Sequence, residues 1–352
     1  MKKRISYIDI AKCFAIIFIV FCHALGESSN CRPIFKFLFS FHVILFFILS
    51  GYTFKLKEES AFSFIKNKFL RIMVPYLVWA LLFLIPYMVL GERLNETIGT
   101  NASFDLKIQI KNAFYGIAKN GALKQNTSLW FLPALFSTEI IYYFIIKLTK
   151  KTSFRAKLVL LIPLTIISYL SAYNLKIILP WGINSALVIG IFFYFGYLCK
   201  EYNLFSKEKI FKLPFILIFI IIGCLANHYN SKISYLGYQY GNLTLAILSG
   251  LTLSIATIYL AFLINKSNLL EYIGRNTLGI LIFHKIIILI FRTMLGPITR
   301  LLKNSTMLIE LSLAVLILVI SITCSLICTE IIRKIFPILI GEKRAPKLEK
   351  NI

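Results

Sequence analysis

The sequence predicts an all-α, polytopic integral membrane protein, and three observations support this fold class. Of the 352 residues, 58% are hydrophobic and only 15% are charged. The mean hydropathy is +0.79, which excludes an ordinary soluble domain. The apolar residues are gathered into stretches that are long enough to cross a bilayer core, which takes about 20 residues in a helix. We therefore expect one transmembrane domain, residues 1–352, with about ten membrane-spanning helices.

Each predicted span is an apolar stretch about long enough to cross a bilayer core. They lie near 8–25, 35–54, 72–90, 129–148, 157–173, 178–198, 211–228, 243–264, 277–295 and 308–332. The shortest stretch, 157–173, contains Pro163, so nine spans is the alternative count. The segment 91–128 is a long polar connection, and its part 104–119 has the apolar spacing of a helix that lies on the membrane surface.

The net charge of +24 indicates membrane topology. In a soluble chain such a charge would suggest a nucleic-acid partner, but well over half of the 39 Lys and Arg residues lie on alternate connections or at the two termini. By the positive-inside rule, these connections and both termini are cytoplasmic, and the segment 91–128 is outside. We therefore expect no nucleic-acid partner. We expect a multi-pass protein of the plasma (cytoplasmic) membrane that contacts membrane lipids.

The first stretch has an alternative interpretation as a signal peptide, because basic residues precede it and small residues follow at 24–26. Cleavage there would remove His23. Asp9 and Lys12 interrupt the apolar region, however, and the next stretch begins soon afterwards, which favours a retained helix. The seven cysteines form no disulfide or zinc pattern, and we expect no metal site.

The first stretch also carries the polar residues that most clearly predict a site: Asp9, Lys12 and His23. Lys12 and His23 are three helical turns apart, point within about 20° of each other, and are separated by about 16 Å along the axis. Because charge in hydrocarbon is costly, this stripe should face a bundle interior or a wet cavity. We therefore predict a catalytic site at His23, with Lys12 and Asp9 beside it. Alternatively, Asp9 and Lys12 form only an internal ion pair.

Later motifs extend this pattern. They are 41–47 with Ser50-Gly51-Tyr52, Lys68 and Arg71 before Pro75-Tyr76, 128–132 with Trp130, 192–197, and 273–277 with Asn276 followed by His284. Together with Tyr7-Ile8-Asp9, Lys12 and His23, these motifs resemble the membrane-bound acyltransferase family 3, in particular its fucose 4-O-acetylase-like and other glycan O-acetyltransferase members. The chain has Val43-Ile44 where the family has Met-Pro, and Lys68 where the family more often has Arg.

The resemblance implies transfer of an acyl group, with cytoplasmic acetyl-CoA as the donor and a hydroxyl of a cell-surface or lipid-linked glycan as the acceptor. The phosphates of CoA need positive charge, which Lys68 and Arg71 would supply, with Lys12 deeper in the membrane. Further candidate site residues are His42, Ser50, Trp130, Asn276 and His284. The acceptor oxygen attacks the thioester with His23 as base, or an acyl-histidine carries the group; the sequence leaves both routes open.

Each candidate also has a structural interpretation. Lys68 and Arg71 could be topological anchors, Trp130 an interfacial aromatic, and Ser50 a helix-packing residue. His42 and His284 could be hydrogen-bonded structural residues. Two other function classes stay open: a lipid-linked sugar flippase or other transporter, and a scaffold of a polysaccharide-export complex. A transporter is expected to show an internal repeat, and the sequence has none.

Overall fold

The computed structural model describes residues 4–26, 30–85, 88, 105–116, 123, 126–175, 177–206, 212–231, 233–235, 238–294 and 306–342. Within these residues the regular structure is helical, apart from an isolated antiparallel bridge between Ser234 and Gln239. The all-α class is therefore confirmed.

The α-helices are numbered here in chain order. They are α1 Ser6–Leu25, α2 Arg32–Phe39, α3 His42–Thr53, α4 Ala61–Lys68, α5 Val74–Leu82, α6 Leu106–Tyr115, α7 Phe131–Leu148, α8 Phe154–Val159, α9 Leu161–Tyr173, α10 Ile183–Glu201, α11 Leu213–Tyr229, α12 Leu243–Ile264, α13 Asn268–Arg275, α14 Thr277–Met294 and α15 Met307–Ile335.

Eight apolar helical segments in the described residues are long enough to cross a membrane. They are Ser6–Leu25, Arg32–Thr53, Thr127–Leu148, Phe154–Tyr173, Pro180–Glu201, Leu243–Ile264, Thr277–Met294 and Met307–Ile335. Each corresponds to a predicted span, including the stretch that contains Pro163. The seventh predicted span is the shorter helix α11. The third begins as predicted, but part of its far end lies outside the described residues.

The second span is broken in two. Ser40 and Phe41 separate α2 from α3, and the hydroxyl of Ser40 donates to the carbonyl of Phe37 at 2.7 Å. His42 Nδ1 donates to the carbonyl of Leu38, also at 2.7 Å. The backbone N–H groups of Ser40 and Phe41 also bond to these two carbonyls, so each side chain adds a second donor at the turn where α2 ends. A break therefore occurs in this span although the chain has no proline there.

A π-helical turn, Phe69–Met73, joins α4 to α5. Pro75 lacks an N–H and its ring crowds the carbonyl four residues earlier, which is that of Arg71. The wider π turn accommodates this mismatch, and such turns are frequent at functional sites. The freed carbonyl of Arg71 lies against Gly341. A Cβ atom on Gly341 would be 2.5 Å from the carbonyl oxygen of Arg71.

Helix α1 lies at the centre of the bundle and packs against α3, α12, α13, α14 and α15. Beside it, α3 and α10 approach closely through two glycines. A Cβ atom on Gly51 would lie 1.8 Å from the carbonyl oxygen of Phe193, and one on Gly196 would lie 2.0 Å from that of Ile48. Gly51 thus serves helix packing, as small residues commonly do in membranes. Because α1 is surrounded by other helices, its polar side chains face protein and not lipid.

Candidate active site

A cavity of about 580 Å³ lies beside the middle of α1. Its volume is in the range of small-molecule binding sites. The walls come from α1, α3, α4, α7, α14 and the π turn, with Gly341 from the C-terminal turn. Two acidic residues line it, Glu59 and Glu139. Five basic residues also line it: Lys12, Lys55, Lys57, Lys68 and Arg71. The cavity therefore has an excess of positive charge.

Lys68 has an acidic partner inside this cavity. Its Nζ atom lies 2.6 Å from Oε2 of Glu139, and both side chains are mostly buried. The ammonium also lies 5.7 Å from the ring centre of Phe54 and 5.5 Å from that of Phe64. These contacts hold Lys68 in place and neutralise part of its charge.

Arg71 is held only by a neutral group among the described residues. Its Nε atom donates to the carbonyl of Gly341 at 3.4 Å. The same C-terminal turn is fixed to α5 because Trp79 Nε1 donates to the carbonyl of Leu339 at 2.8 Å. The guanidinium of Arg71 thus keeps its full positive charge at the cavity wall, where it can bind an anion.

The cavity extends along α1 toward His23. Lys12 and Ile19 both line it, and they share a helical face because they are seven residues apart. His23 lies one further turn along the same face. The predicted stripe therefore connects a basic cavity at one end of the bundle with a histidine about 16 Å from Lys12.

His23 belongs to a polar cluster with His284 and Ser128. The two imidazole rings have centroids 5.4 Å apart, and Ser128 Oγ lies 3.3 Å from Nε2 of each ring. A 3₁₀ turn, Thr127–Trp130, positions the serine. Asn126 anchors this turn, since its Oδ1 accepts from the N–H of Ser128 and its Nδ2 donates to the carbonyl of Ile282 at 2.7 Å. The cluster joins α1, α14 and the start of α7.

Hydrogen bonding indicates which nitrogen of His23 is basic. His284 Nδ1 lies 2.8 Å from the carbonyl oxygen of Ile280, which can only accept, so Nδ1 donates. Nε2 of an uncharged His284 then accepts from the hydroxyl of Ser128. A hydroxyl has only one proton, and Ser128 donates it to His284. Ser128 Oγ can therefore only accept from His23, so that Nε2 of His23 carries a proton. This chain of bonds leaves Nδ1 of His23 free to accept a proton.

Two cations from α14 lie on the far side of this cluster. Lys285 Nζ donates to Thr127 Oγ1, next to Ser128. Arg292 Nη2 donates to the carbonyl of Ala24, next to His23, at 2.7 Å. The two cations thus contact residues that adjoin the cluster in the sequence, since Thr127 precedes Ser128 and Ala24 follows His23.

A family model described as an acyltransferase domain, that of acyltransferase family 3, matches residues 5–330 of the chain. The chain belongs to acyltransferase family 3. The match covers nearly the whole described bundle, and the protein is therefore a multi-pass membrane acyltransferase. Comparisons with curated proteins and with solved structures gave no match.

Of the candidates predicted for this acyltransferase, Lys12, Ser50, Lys68 and Arg71 line the cavity. His23 and His284 form the polar cluster. Trp130 is half-buried, two residues beyond Ser128, and its ring packs edge-on against Phe131. His42 is buried, and its ring packs edge-on against that of Phe39. Apart from Trp130 and His42, these predicted residues thus belong to the cavity lining or to the polar cluster.

Asp9 and Asn276 lie elsewhere in the acyltransferase. Oδ2 of Asp9 is 3.5 Å from Nε of Arg275, and Lys12 is not within ion-pair distance of it. α1 and α13 touch here, since a Cβ on Gly274 would be 1.8 Å from the carbonyl oxygen of Asp9. Asn276 donates to the carbonyl of Tyr272 and accepts from Arg333. The contacts of both are with the helices that surround the start of α1, outside the cavity.

Sequence reasoning did not single out Ser128, Glu139 or Lys285 as site residues. Glu139 and Lys285 could have been predicted from the sequence, because an ionisable residue inside an apolar span is a functional candidate by default. Nothing in the sequence around Ser128 alone indicates a role for its hydroxyl. Only the fold shows that its hydroxyl lies between two histidines that are far apart in the sequence.

Proposed function

We propose that this acyltransferase moves an acetyl group from acetyl-CoA to a hydroxyl of a cell-surface or lipid-linked glycan. The observation that carries the proposal is the continuity of the two groups. A basic cavity follows α1 to within one helical turn of His23, whose Nδ1 is free to accept a proton. CoA would bind at the cavity end, which is cytoplasmic on the predicted topology, and the glycan at the His23 end.

The cavity suits the donor in charge and length. CoA carries a pyrophosphate and a ribose phosphate, and Arg71 can bind phosphate with two parallel hydrogen bonds. Lys55 and Lys57 add charge at the same wall. The extended pantetheine arm would then run past Lys12 along the face of α1. For the thioester to reach His23, the pantetheine arm must extend about 16 Å beyond Lys12 along α1.

The chemistry takes place at His23. In direct transfer, the acceptor oxygen attacks the thioester carbonyl while Nδ1 of His23 takes the hydroxyl proton. The C–S bond breaks, and the CoA thiolate takes that proton from the imidazolium. In the alternative route, Nδ1 of His23 attacks the thioester carbonyl first, the C–S bond breaks, and the CoA thiolate takes the remaining ring N–H proton, which leaves a neutral acyl-imidazole. The acceptor hydroxyl then attacks the acyl group, the C–N bond breaks, and the hydroxyl proton returns to the imidazole. Both routes end with one ester and one free thiol.

Ser128 and His284 act through His23 as positioning residues. Their hydrogen bonds fix the orientation of the His23 ring and keep its proton on Nε2. When Nδ1 accepts a second proton, Ser128 Oγ remains an acceptor for the N–H of the imidazolium. The arrangement corresponds to the general logic of a base that is oriented by a third group.

Glycan acetylation and thiol release together test this function. The purified chain should release more than one equivalent of free CoA from acetyl-CoA only when an acceptor glycan is present. Cells that lack the protein should lose O-acetyl groups from their surface glycan, and reintroduction of the chain should restore them. A transporter or a scaffold would release no CoA, and that result would overturn the proposal.

A further inference from the structure

The two cations of α14, Lys285 and Arg292, are not explained by acyl transfer to a neutral hydroxyl. Among the described residues, no carboxylate lies within ion-pair distance of either one. Their hydrogen-bond partners are neutral, a hydroxyl of Thr127 and the carbonyl of Ala24. A charge within a membrane helix is costly unless something compensates it.

Both side chains point inward, toward the polar cluster. Arg292 lies across the end of α1, where it bonds to Ala24 beside His23. Gly26 permits this approach, because a Cβ there would come within 2.8 Å of Arg292 Nη2, and the backbone has a φ of +70°. Lys285 reaches the turn that carries Ser128. Cations that serve only as membrane anchors extend toward the lipid headgroups instead.

We propose that Lys285 and Arg292 bind an anionic group of the acceptor, a phosphate or a carboxylate close to the hydroxyl that is acetylated. The inference rests on the proposed function, because it treats the His23 end of the bundle as the acceptor site. A guanidinium and an ammonium on one helix face, seven residues apart, can hold two oxygens of such a group. The acceptor is therefore an acidic glycan or a glycan on a lipid phosphate.

The anion also assists the reaction. Transfer of a proton to His23 creates a third positive charge in the region where Lys285 contacts Thr127 and Arg292 contacts Ala24. Like charges at short range in a low-dielectric site repel strongly. A bound phosphate or carboxylate offsets this repulsion, so that the acceptor supplies part of the electrostatic stabilisation of its own transition state.

Anion binding by the purified full-length chain tests the inference. CoA is added to saturation, so that the basic cavity is filled, and thermal unfolding is followed against inorganic pyrophosphate, glucuronate or glucose. We expect an anion to stabilise the chain where neutral glucose does not. Preference for pyrophosphate identifies a lipid phosphate as the source, and preference for glucuronate identifies an acidic sugar. No more stabilisation by either anion than by glucose would overturn the site.

Variants locate the binding. Lys285→Gln and Arg292→Gln should each weaken binding of the preferred anion by roughly ten- to a hundredfold, the loss typical of one charge-assisted contact. Lys285→Arg should retain it, which guards against a glutamine variant that fails to fold. Lys36→Gln is the matched control, since Lys36 also donates to a backbone carbonyl, that of His228. Equal anion binding by the wild type and both glutamine variants contradicts the proposal.

Acetyl-CoA turnover separates the two proposals. Turnover with an anionic acceptor that is unaffected by Lys285→Gln and Arg292→Gln would remove the anion site and leave the acyl transfer in place. Anion binding that depends on both residues, in a chain that never turns over acetyl-CoA, would keep the site and remove the proposed function.

Discussion

Lys68 and Glu139 form an ion pair within the basic cavity, with Nζ 2.6 Å from Oε2. The pair joins the start of the π turn to the middle of α7. Lys68 is thereby more than a free phosphate-binding charge, because its loss leaves a buried carboxylate without a partner. Arg71, three residues later, has no such partner among the described residues. The two basic residues of this motif should therefore respond differently to substitution.

Lys68→Ala should destabilise the protein. A buried charged acceptor that loses its partner costs about 1–3 kcal/mol or more. Thermal unfolding of the purified variant should therefore occur at a lower temperature than that of the wild type. Adding Glu139→Gln should restore most of the loss, because the amide carries no charge. If the double variant were as unstable as Lys68→Ala, the ion pair would not be the cause.

Arg71→Ala should weaken donor binding while leaving stability nearly unchanged. Loss of one charge-assisted phosphate contact typically reduces affinity by roughly ten- to a hundredfold. Titration of the purified chain with CoA measures this directly. The control is Lys66→Ala, which removes an exposed charge from the neighbouring helix α4, outside the cavity lining. Equal affinity in the two variants would reduce Arg71 to a topological anchor.

Ser128→Ala should reduce turnover by roughly ten- to a hundredfold, since general base catalysis is worth about that much or more and the His23 ring loses its orientation. Ser128→Thr retains the hydroxyl and should keep most of the activity. Donor affinity should be unchanged in both, so the effect should be on kcat. A fall in CoA affinity that equals the fall in kcat would indicate general damage to the bundle instead.

The predicted topology places α6 outside and the start of α11 inside. An impermeant thiol reagent should label Lys111→Cys in intact cells and should label Lys212→Cys only after the membrane is opened. Both positions are exposed. Cys224 is also exposed and should first be replaced by Ser. The opposite labelling pattern would invert the orientation of the whole bundle.

The sequence predicted the spans well, because the length and composition of an apolar stretch determine whether it can cross a bilayer. It did not predict the break at Ser40 and Phe41, because no proline or glycine marks it and only local side-chain bonds of Ser40 and His42 accompany it. The π turn was not predicted either, although Pro75 indicates that the regular helix is disturbed one turn earlier.

The candidate site was predictable where one helix determined it. Lys12 and His23 share a face by helical periodicity alone, and the structure places one in the cavity and the other in the cluster. Asp9 lies on nearly the same stripe, yet its side chain contacts Arg275 of α13 and does not line the cavity. The contacts of Ser128 with both histidines, and of Lys68 with Glu139, depend on how helices distant in the sequence pack together, which no periodicity reveals.

Acetyl transfer by His23→Ala, measured beside its abundance in the membrane, tests the central claim most directly. His23 supplies the basic nitrogen, so the variant should transfer no acetyl group to the surface glycan at normal protein level. His23→Gln should be equally inactive, since an amide does not accept a proton near neutral pH. His42→Gln and His284→Gln should keep part of the activity, because an amide can replace their hydrogen bonds. An active His23→Ala protein would contradict the account, and an inactive, normally abundant His284→Gln would move the catalytic base to α14.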